Sequence, residues 1–170
     1  MLRPLKLGRK MDRINQILQH PLFKKYMEAN DIKEKERIFC KHNMPHVLDV
    51  ARIAYILNME EGHHMSKDMI YGAALLHDIG RHVQYETGEK HAFVSARLAP
   101  EILRDCGFDE EEVTEIVDVI YYHSDKTQLG NRGLRGIIAK ADQLSRGCYA
   151  CPVEAECKWE EERKNREIMW

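Results

Sequence analysis

Residues 73–81 read Ala-Ala-Leu-Leu-His-Asp-Ile-Gly-Arg and predict a buried helix that ends in a polar pair. Small and aliphatic residues lead into His77 and Asp78, and Gly80 can adopt the left-handed conformation that ends many helices. A carboxylate is disfavoured at the negative end of a helix, and a buried carboxylate beside a buried imidazole needs a compensating charge. A divalent cation would supply that charge, because both residue types are good metal ligands. The alternative is a polar pair exposed to water.

The remaining sequence predicts an all-α fold, because helical periodicity runs through most of the chain and strand signals are scarce. Asp31 and Glu34 form a capping-box pattern, and Asn43 and Asp109 are predicted to cap later helices. Residues 81–90 are predicted to form a loop. The predicted helices are Asp12–Gln19, Pro21–Ala29, Asp31–Cys40, Met44–Met59, Ser66–His77, a helix opening at His91, Asp109–His123, Leu134–Ser145 and a solvated helix over residues 154–167.

The 170-residue length and the absence of a dividing linker predict one domain, a single-domain helical bundle. We expect an N-terminal helical extension over residues 1–30, in which residues 1–10 are an upstream extension or flexible arm. A metal-binding core over residues 31–147 and a cysteine loop with a charged C-terminal helix over residues 148–170 complete the domain. A net charge of −2 argues against general binding to nucleic acid or to anionic membranes. Without an apolar spanning segment or a signal peptide, we expect a cytoplasmic protein.

Four of the nine histidines lie near predicted helix ends and beside apolar stripes: His46, His77, His91 and His123. The other five are predicted to be surface groups: His20, His42, His63, His64 and His82. Asp142 lies in the apolar segment 137–144, where a lone carboxylate would be costly unless it were paired. Its partner is either a metal ion or a nearby arginine.

The spacing of these residues resembles the HD-domain superfamily of metal-dependent phosphohydrolases over residues 37–146. His46 matches the first metal histidine of that family, residues 77–78 match its signature His-Asp pair, and Asp142 matches its closing aspartate. The resemblance implies a helical bundle of the HD-domain type, in agreement with the periodicity. It also implies a divalent metal at the matching positions.

The resemblance extends to a second metal position. Family members with two further histidines between the signature pair and the closing aspartate commonly hold two ions. The implied ligands are His46, His77, Asp78 and Asp142 for one ion, and Asp78, His91 and His123 for the other. Some members carry two adjacent histidines where this chain has His123-Ser124. A competing interpretation gives His91 or His123 a role in holding substrate phosphate.

The implied reaction is hydrolysis of a phosphoester or phosphoanhydride in a small phosphorylated substrate, with a nucleotide expected. The nitrogen and oxygen donors favour iron, manganese, magnesium, nickel or cobalt over a structural zinc. A metal pair makes hydroxide available near neutral pH and neutralises phosphate charge. The predicted catalytic residues are Asp78, Arg81 and Lys90, and the predicted substrate-binding residues are Arg81, Lys90, Lys126 and Arg146. For each of these cations, the alternative is a solvated surface charge.

Two other functions stay open at this point. Some HD-domain proteins with the same ligand set are di-iron oxygenases, which consume oxygen during turnover. A non-catalytic nucleotide-sensing module is the other alternative, although it would not need an intact ligand set. Residues 141–146, with the helix that opens at His91, look similar to bacterial hydrolases that split dinucleoside tetraphosphates. The oligomeric state is left open, and a homodimer is one of the states considered.

Three of the five cysteines are clustered in the sequence, as Cys148-x2-Cys151-x5-Cys157. An odd number of cysteines without a secretory signal argues against a disulfide framework. Three close thiols can instead bind zinc or an iron–sulfur cluster, with Cys40, Cys106 or a histidine as the fourth ligand. The alternative is a set of reduced cysteines in a loop.

Overall fold

The computed structural model describes residues 11–169, and this part of the chain contains helices but no β-strand. The prediction of an all-α fold is therefore confirmed. The helices are α1 (Asp12–Gln19), α2 (Pro21–Lys33), α3 (Met44–Glu60), α4 (Lys67–Leu76), α5 (Arg81–Thr87), α6 (His91–Asp105), α7 (Glu110–Tyr122) and α8 (Leu134–Leu144). Among the residues described, no helix combines the length and the apolar character needed to cross a membrane. The interpretation of residues 1–10 as an extension or arm falls outside the described residues.

Helix α4 lies at the centre of the bundle and contacts α1, α3, α6, α7 and α8. From Met69 to Leu76 every residue except the half-buried Tyr71 is buried, as expected for a helical segment that is apolar around its circumference. Small residues allow the neighbours to approach closely: a Cβ on Gly72 would lie only 3.3 Å from the Ile116 side chain. The signature His-Asp pair is therefore held at the end of the most buried helix.

The other long helices each bury one face against α4 or a neighbour. Helix α3 packs against α4 and α8, and α6 packs against α7. The buried residues of α3 follow the predicted stripe: Val47, Val50, Ala51, Ala54 and Leu57. The predicted caps are present, because the Asn43 side chain accepts a hydrogen bond from the His46 N–H, and Asp109 forms a capping box with Glu112.

Gly80 ends the turn after α4 for a reason other than the predicted one. Its φ is −90°, so it is not left-handed. It is instead placed against α6, where a Cβ would lie 2.7 Å from the Ser95 nitrogen and from Val94 Cβ. Its N–H donates to Ser95 Oγ at 2.9 Å. The predicted loop after it is also wrong, because α5 follows directly.

The predicted helix Asp31–Cys40 is wrong. Helix α2 continues through Asp31 to Lys33, and the chain then turns. Glu34 cannot complete a capping box because its carboxylate is buried and accepts hydrogen bonds from His42 and from the Tyr85 hydroxyl. His42 is therefore buried as well, which corrects its prediction as a surface group.

The predicted helix over residues 154–167 is also wrong. Two short 3₁₀ turns take its place, Glu154–Glu156 and Glu161–Arg163, and a third, Cys148–Ala150, precedes them. This segment has no apolar stripe, so a helix there would gain little from packing. Its charges pair locally instead, since Lys164 contacts both Glu154 and Glu161. Asn165 fastens the segment to the bundle by donating to the carbonyls of Gln143 and Arg146.

Candidate metal centre

Six side chains from the ends of five helices meet at one place beside the end of α4. His46 lies in the first turn of α3, while His77 and His123 follow the last residues of α4 and α7. His91 is the first residue of α6, and Asp142 lies in the last turn of α8. Their ligand atoms form two compact groups, each with all atoms within 4.8 Å of one another. The first ligand group is His46, His77, Asp78 and Asp142, and the second ligand group is Asp78, His91 and His123.

In the first ligand group, two histidine nitrogens face two carboxylate oxygens. Nε2 of His46 lies 3.4 Å from Asp78 Oδ2 and 3.3 Å from Asp142 Oδ1. Nε2 of His77 lies 3.1 Å and 3.8 Å from the same two oxygens. Three of these atoms are buried without a hydrogen-bond partner: His77 Nε2, Asp78 Oδ2 and Asp142 Oδ1. Buried polar atoms without partners are costly, so their convergence fits a bound cation.

In the second ligand group, two histidine nitrogens face the other oxygen of Asp78. Nε2 of His91 lies 3.2 Å from Asp78 Oδ1, and Nε2 of His123 lies 3.8 Å from it. The two Nε2 atoms are themselves 3.1 Å apart. Asp78 thus presents one carboxylate oxygen to each group.

Backbone carbonyls fix the orientation of His77 and His123. Nδ1 of His77 donates to the Ala74 carbonyl at 2.6 Å, and Nδ1 of His123 donates to the Ile120 carbonyl at 2.6 Å. Because a carbonyl can only accept, the proton of each neutral ring lies on Nδ1. The Nε2 lone pair of each ring is therefore directed into the centre, which is the usual arrangement of a metal-binding histidine.

Side chains, instead of backbone carbonyls, fix the orientation of His91 and His46. The Gln84 amide oxygen accepts from Nδ1 of His91 at 2.6 Å. The Ser145 hydroxyl donates to the Asp142 carbonyl and lies 3.1 Å from Nδ1 of His46, so it accepts from that ring. All four histidines thus turn Nε2 toward the ligand groups.

The charges of the first group are strongly coupled. Burial alone would raise the pKa of Asp78, but Arg81 and His77 hold it well below its ordinary value. Burial alone would raise the pKa of Asp142, but the neighbouring His46 and His77 hold it well below its ordinary value. Burial alone would lower the pKa of His77, but the two carboxylates raise it to about 10. The two anions therefore bind a proton tightly when no metal compensates them.

The second group has neutral imidazoles near neutral pH. Burial lowers the pKa of His91 to about 3. Burial and the neighbouring His77 lower the pKa of His123 to about 4. Two neutral rings that donate through Nδ1 direct their Nε2 lone pairs at each other across 3.1 Å, which is unfavourable without a cation between them. The residues of both groups therefore fit a divalent metal.

A cavity of about 440 Å³ borders the first ligand group at Asp142 and the second at His123. Three of the four predicted substrate-binding residues line it, namely Arg81, Lys126 and Arg146. Lys90 is not among the lining residues: it is exposed at the start of α6, and its ammonium lies 5.5 Å from the centre of the Phe93 ring. The predicted catalytic and substrate-binding roles of Lys90 therefore find no support here.

Arg146 is buried between the cavity and the first ligand group. Nη2 lies 3.1 Å from His46 Nε2 and 3.6 Å from Asp142 Oδ1, while Nη1 donates to the Lys41 carbonyl. The arginine partner proposed for Asp142 as an alternative to a metal is thus present. It does not satisfy the whole site, because Asp142 Oδ1 still lacks a hydrogen bond.

Several residues at the site were not identified from the sequence. Asn30 is fully buried on α2; it donates to the Asp78 carbonyl at 2.9 Å and accepts from the His82 N–H at 2.8 Å. His42 lines the cavity, and its ring lies edge-on to that of His46 with 5.6 Å between centroids. The Cys157-Lys158-Trp159 segment and Arg163 form another wall. Asn30 gave one signal, a polar residue on the apolar face of a helix, whereas the others come from segments without periodicity.

The structure places Cys40 beside the three clustered cysteines. Cys40, Cys148, Cys151 and Cys157 all line a second cavity of about 200 Å³, next to the first. Cys106, the other suggested fourth ligand, is buried at the end of α6 and does not line this cavity.

Comparisons with known proteins agree with this geometry. A family model described as HD domain matches residues 44–147. An uncharacterized protein of Clostridium beijerinckii is 42% identical over 160 residues, which make up 94% of this chain and 100% of that protein. A Bacillus subtilis protein named "Putative phosphohydrolase YueE" is 28% identical over 142 residues, 75% of this chain and 73% of that protein.

One solved structure is similar in fold. It is a crystal structure from an uncultured Thermotogales bacterium, described as a predicted HD superfamily hydrolase. The TM-score is 0.59 at 24% identity, and the match covers 89% of this chain and 86% of that one. At this identity, the likeness concerns the fold alone.

Proposed function

The chain belongs to the HD-domain family, and from that premise we propose that it is a metal-dependent phosphohydrolase acting on a small phosphorylated molecule, a nucleotide. The reaction is hydrolysis of a phosphoester or phosphoanhydride bond. The observation that carries the proposal is the cationic cavity that borders both ligand groups.

The charges of the cavity support a phosphorylated substrate. Six basic side chains line it: Arg37, Arg81, Lys126, Lys158, Arg146 and Arg163. The acidic residues on its wall are Asp125 and Asp142, and Asp142 belongs to the first ligand group. A volume of about 440 Å³ lies in the usual range for small-molecule sites. The excess of positive charge favours a substrate with several negative charges, as in a polyphosphate.

Aromatic side chains support a nucleotide in particular. Phe39 and Trp159 line the same cavity, and the Arg163 guanidinium lies 4.4 Å from the centre of the Trp159 ring. A nucleobase can stack on such a ring or on the planar guanidinium beside it. The cavity thus combines a face for a base with cations for phosphates.

Each residue near the centre has a role that follows from its contacts. A metal held by the two ligand groups would supply a water of lowered pKa and would neutralise phosphate charge. Arg81 donates through Nε to Asp78 Oδ1 at 3.1 Å and also lines the cavity, so its other N–H groups can bind a phosphate oxygen. Arg146 lines the same cavity beside the first ligand group, so its guanidinium can also bind a phosphate oxygen.

His42 is suited to proton transfer. Burial lowers its pKa, and Glu34 holds the ring through Nδ1. A neutral imidazole held by a carboxylate can exchange a proton with a water or a leaving oxygen. Because His42 lines the cavity, we expect it to face the bond that is cleaved.

The proposal is tested by measuring phosphate release from nucleoside mono-, di- and triphosphates and from dinucleoside polyphosphates. Each substrate is offered with iron, manganese, magnesium, nickel or cobalt, beside Asp78→Ala as the inactive control. Activity with one of these substrates and none in the variant is the expected result.

Oxygen consumption, measured with an oxygen electrode in the same assays, distinguishes the hydrolase from the main alternative, a di-iron oxygenase. Oxygen consumption without phosphate release would replace the hydrolase by a di-iron oxygenase. Tight nucleotide binding without turnover under any metal would replace it by a sensing module.

A further inference from the structure

We propose that Cys40, Cys148, Cys151 and Cys157 bind an iron–sulfur cluster that fastens the C-terminal segment, residues 147–169, to the helical bundle. These thiols are separate from both ligand groups of the metal centre. The first thiol precedes α3, and the other three follow α8.

The four thiols converge although they are far apart in the sequence. All four line the cavity of about 200 Å³ and are partly buried. Burial raises the pKa of Cys40, and each of the three other thiols raises it further, so all three lie within electrostatic range of Cys40. Four converging thiols, one of them from a distant loop, make a complete ligand set for a cluster.

The spacing favours a cluster over a single zinc ion. Sulfur atoms around a tetrahedral zinc lie about 3.8 Å apart, given a zinc–sulfur bond of about 2.3 Å. Among the described residues, the groups whose ligand atoms all lie within 4.8 Å of one another are the two histidine–aspartate groups, so the thiols are spread more widely. A cluster places a core of iron and sulfide between its four thiolates, and the cavity of about 200 Å³ offers room for it.

The C-terminal segment has little apolar burial to order it. No residue from 147 to 169 is buried, and the segment has no α-helix. Ordering a residue costs roughly 1–2 kcal/mol of backbone entropy, which apolar burial normally offsets. The segment has few bonds to the bundle, mainly those from Asn165 to the carbonyls of Gln143 and Arg146. Small units with little apolar burial are often stabilised by bound metal instead.

The cluster has a consequence for the metal centre, and this part rests on the proposed function. Cys40 and Cys157 line the larger cavity as well, and Lys158 and Trp159 directly follow Cys157. The cluster would thus hold the wall that carries Trp159 and two cations against the ligand groups. Loss of the cluster should weaken substrate binding without removing metal from the centre.

The proposal is tested by measuring the acid-labile sulfide content and the visible absorption spectrum of protein purified without oxygen. Wild type should contain about two sulfide ions per chain for a [2Fe–2S] cluster or about four for a [4Fe–4S] cluster, and should show a broad cluster absorption band. Cys40→Ala and Cys151→Ala should lose both signals, whereas the control Cys106→Ala should keep them. Asp78→Ala should also keep them, because it removes ligands of the metal centre only. The cluster is thereby tested independently of the phosphohydrolase activity.

A second measurement needs no variant. Alkylation of the native wild type should modify none of the four thiols until a chelator and an oxidant remove the cluster, and all four afterwards. If the enzyme hydrolyses a nucleotide, Cys151→Ala should raise KM by about tenfold, equal to 1.4 kcal/mol of binding, with a smaller change in kcat. Four thiols that react freely in the native protein would overturn the proposal. One equivalent of zinc without sulfide, or sulfide retained in Cys40→Ala, would overturn it equally.

Discussion

At the scale of single residues, Asp78 connects the two halves of the metal centre. Its Oδ2 faces His46 and His77, while its Oδ1 faces His91 and His123. No other side chain belongs to both ligand groups among the described residues. We therefore expect substitutions in the two groups to have separable effects, and only Asp78 to affect both.

His91→Ala should reduce the metal content from about two equivalents per chain to about one, because it removes one of the three ligands of the second group. His46→Ala should weaken the first group instead. Elemental analysis and metal titration of the two variants measure this difference. Equal loss of all metal in both variants would contradict two separate positions.

Glu34 should make a measurable contribution to acid stability. Burial alone would raise its pKa, but hydrogen bonds from His42 and Tyr85 lower it to about 2 from an ordinary value of 4.5. The lowered pKa stabilises the folded state above pH 4.5, and this stabilisation is lost as the pH falls toward 2. The free energy of unfolding of Glu34→Gln should therefore depend less on pH in this window than that of wild type.

Glu89→Gln serves as the matched control for that comparison. Glu89 also carries a pKa lowered by an arginine, Arg97, but its side chain is far more exposed than that of Glu34. Its substitution should leave the pH profile of stability nearly unchanged. Chemical unfolding between pH 5 and pH 2 gives the three profiles, and an identical slope for Glu34→Gln and wild type would contradict the expectation.

The convergence of the six candidate ligands was predictable from the sequence at this scale, but the residues that support them were not. A histidine beside an apolar stripe or an aspartate inside one departs visibly from its surroundings, as His46 and Asp142 do. Asn30 and His42 act through tertiary contacts with Asp78 and Glu34, and a local pattern marks at most the burial of Asn30, not its partner. Lys90 was assigned a role from its place beside His91, but its side chain lies over Phe93.

At the scale of elements, the turn after α4 is fixed by its packing against α6. A side chain on Gly80 would collide with the backbone of Ser95 and with Val94, and α6 begins at the ligand His91. The geometry of the second ligand group thus depends on how closely two helix ends approach.

Gly80→Ala should destabilise the protein by about 1–3 kcal/mol, the usual cost of overpacking a core. It should also weaken metal binding at the second group, because α6 must move away. Gly130→Ala is the control, since its Cβ would meet nothing within 4 Å. Chemical unfolding and metal titration measure both effects. If Gly80→Ala were as stable as wild type, the turn at Gly80 would not be packed tightly against α6.

Helices with a clear apolar stripe were predicted well, and segments without one were not. Helices α3, α7 and α8 match their predictions closely because each buries such a stripe. Residues 31–40 and 154–167 carry helix-favouring charges but form no separate α-helix. Tertiary contacts of the buried Glu34 fix the first segment, and local ion pairs such as that of Lys164 with Glu161 form in the second. Helix α5 was missed because it is short and has no buried residue.

At the scale of the whole molecule, the candidate metal centre joins five helices that also meet through the apolar core and through a few ion pairs, such as that of Arg135 with Asp118. Bound metal should therefore stabilise the folded state. At a free concentration one hundred times Kd, the gain is about 2.7 kcal/mol, or roughly 5–10 °C in Tm for a chain of this size. Thermal unfolding with and without a chelator measures it. An unchanged Tm in protein that demonstrably contains metal would contradict this linkage.

Metal binding should weaken as the pH falls. Without metal, His77 holds a proton up to a pH of about 10, so a metal ion that binds the first group at neutral pH must displace it. The association constant should then fall about tenfold for each unit decrease in pH around neutrality. Competition titrations between pH 6 and pH 8 give this slope. An affinity that does not vary with pH in this range would contradict the displacement of a proton from His77.

The central claim is a metal centre with two positions that share Asp78. The most direct test is the metal content per chain of protein purified without oxygen or chelator, wild type beside Asp78→Ala, with iron that accompanies acid-labile sulfide subtracted. We predict about two equivalents in wild type and their loss in Asp78→Ala, with helix content unchanged by circular dichroism. A variant that keeps both equivalents would contradict the claim.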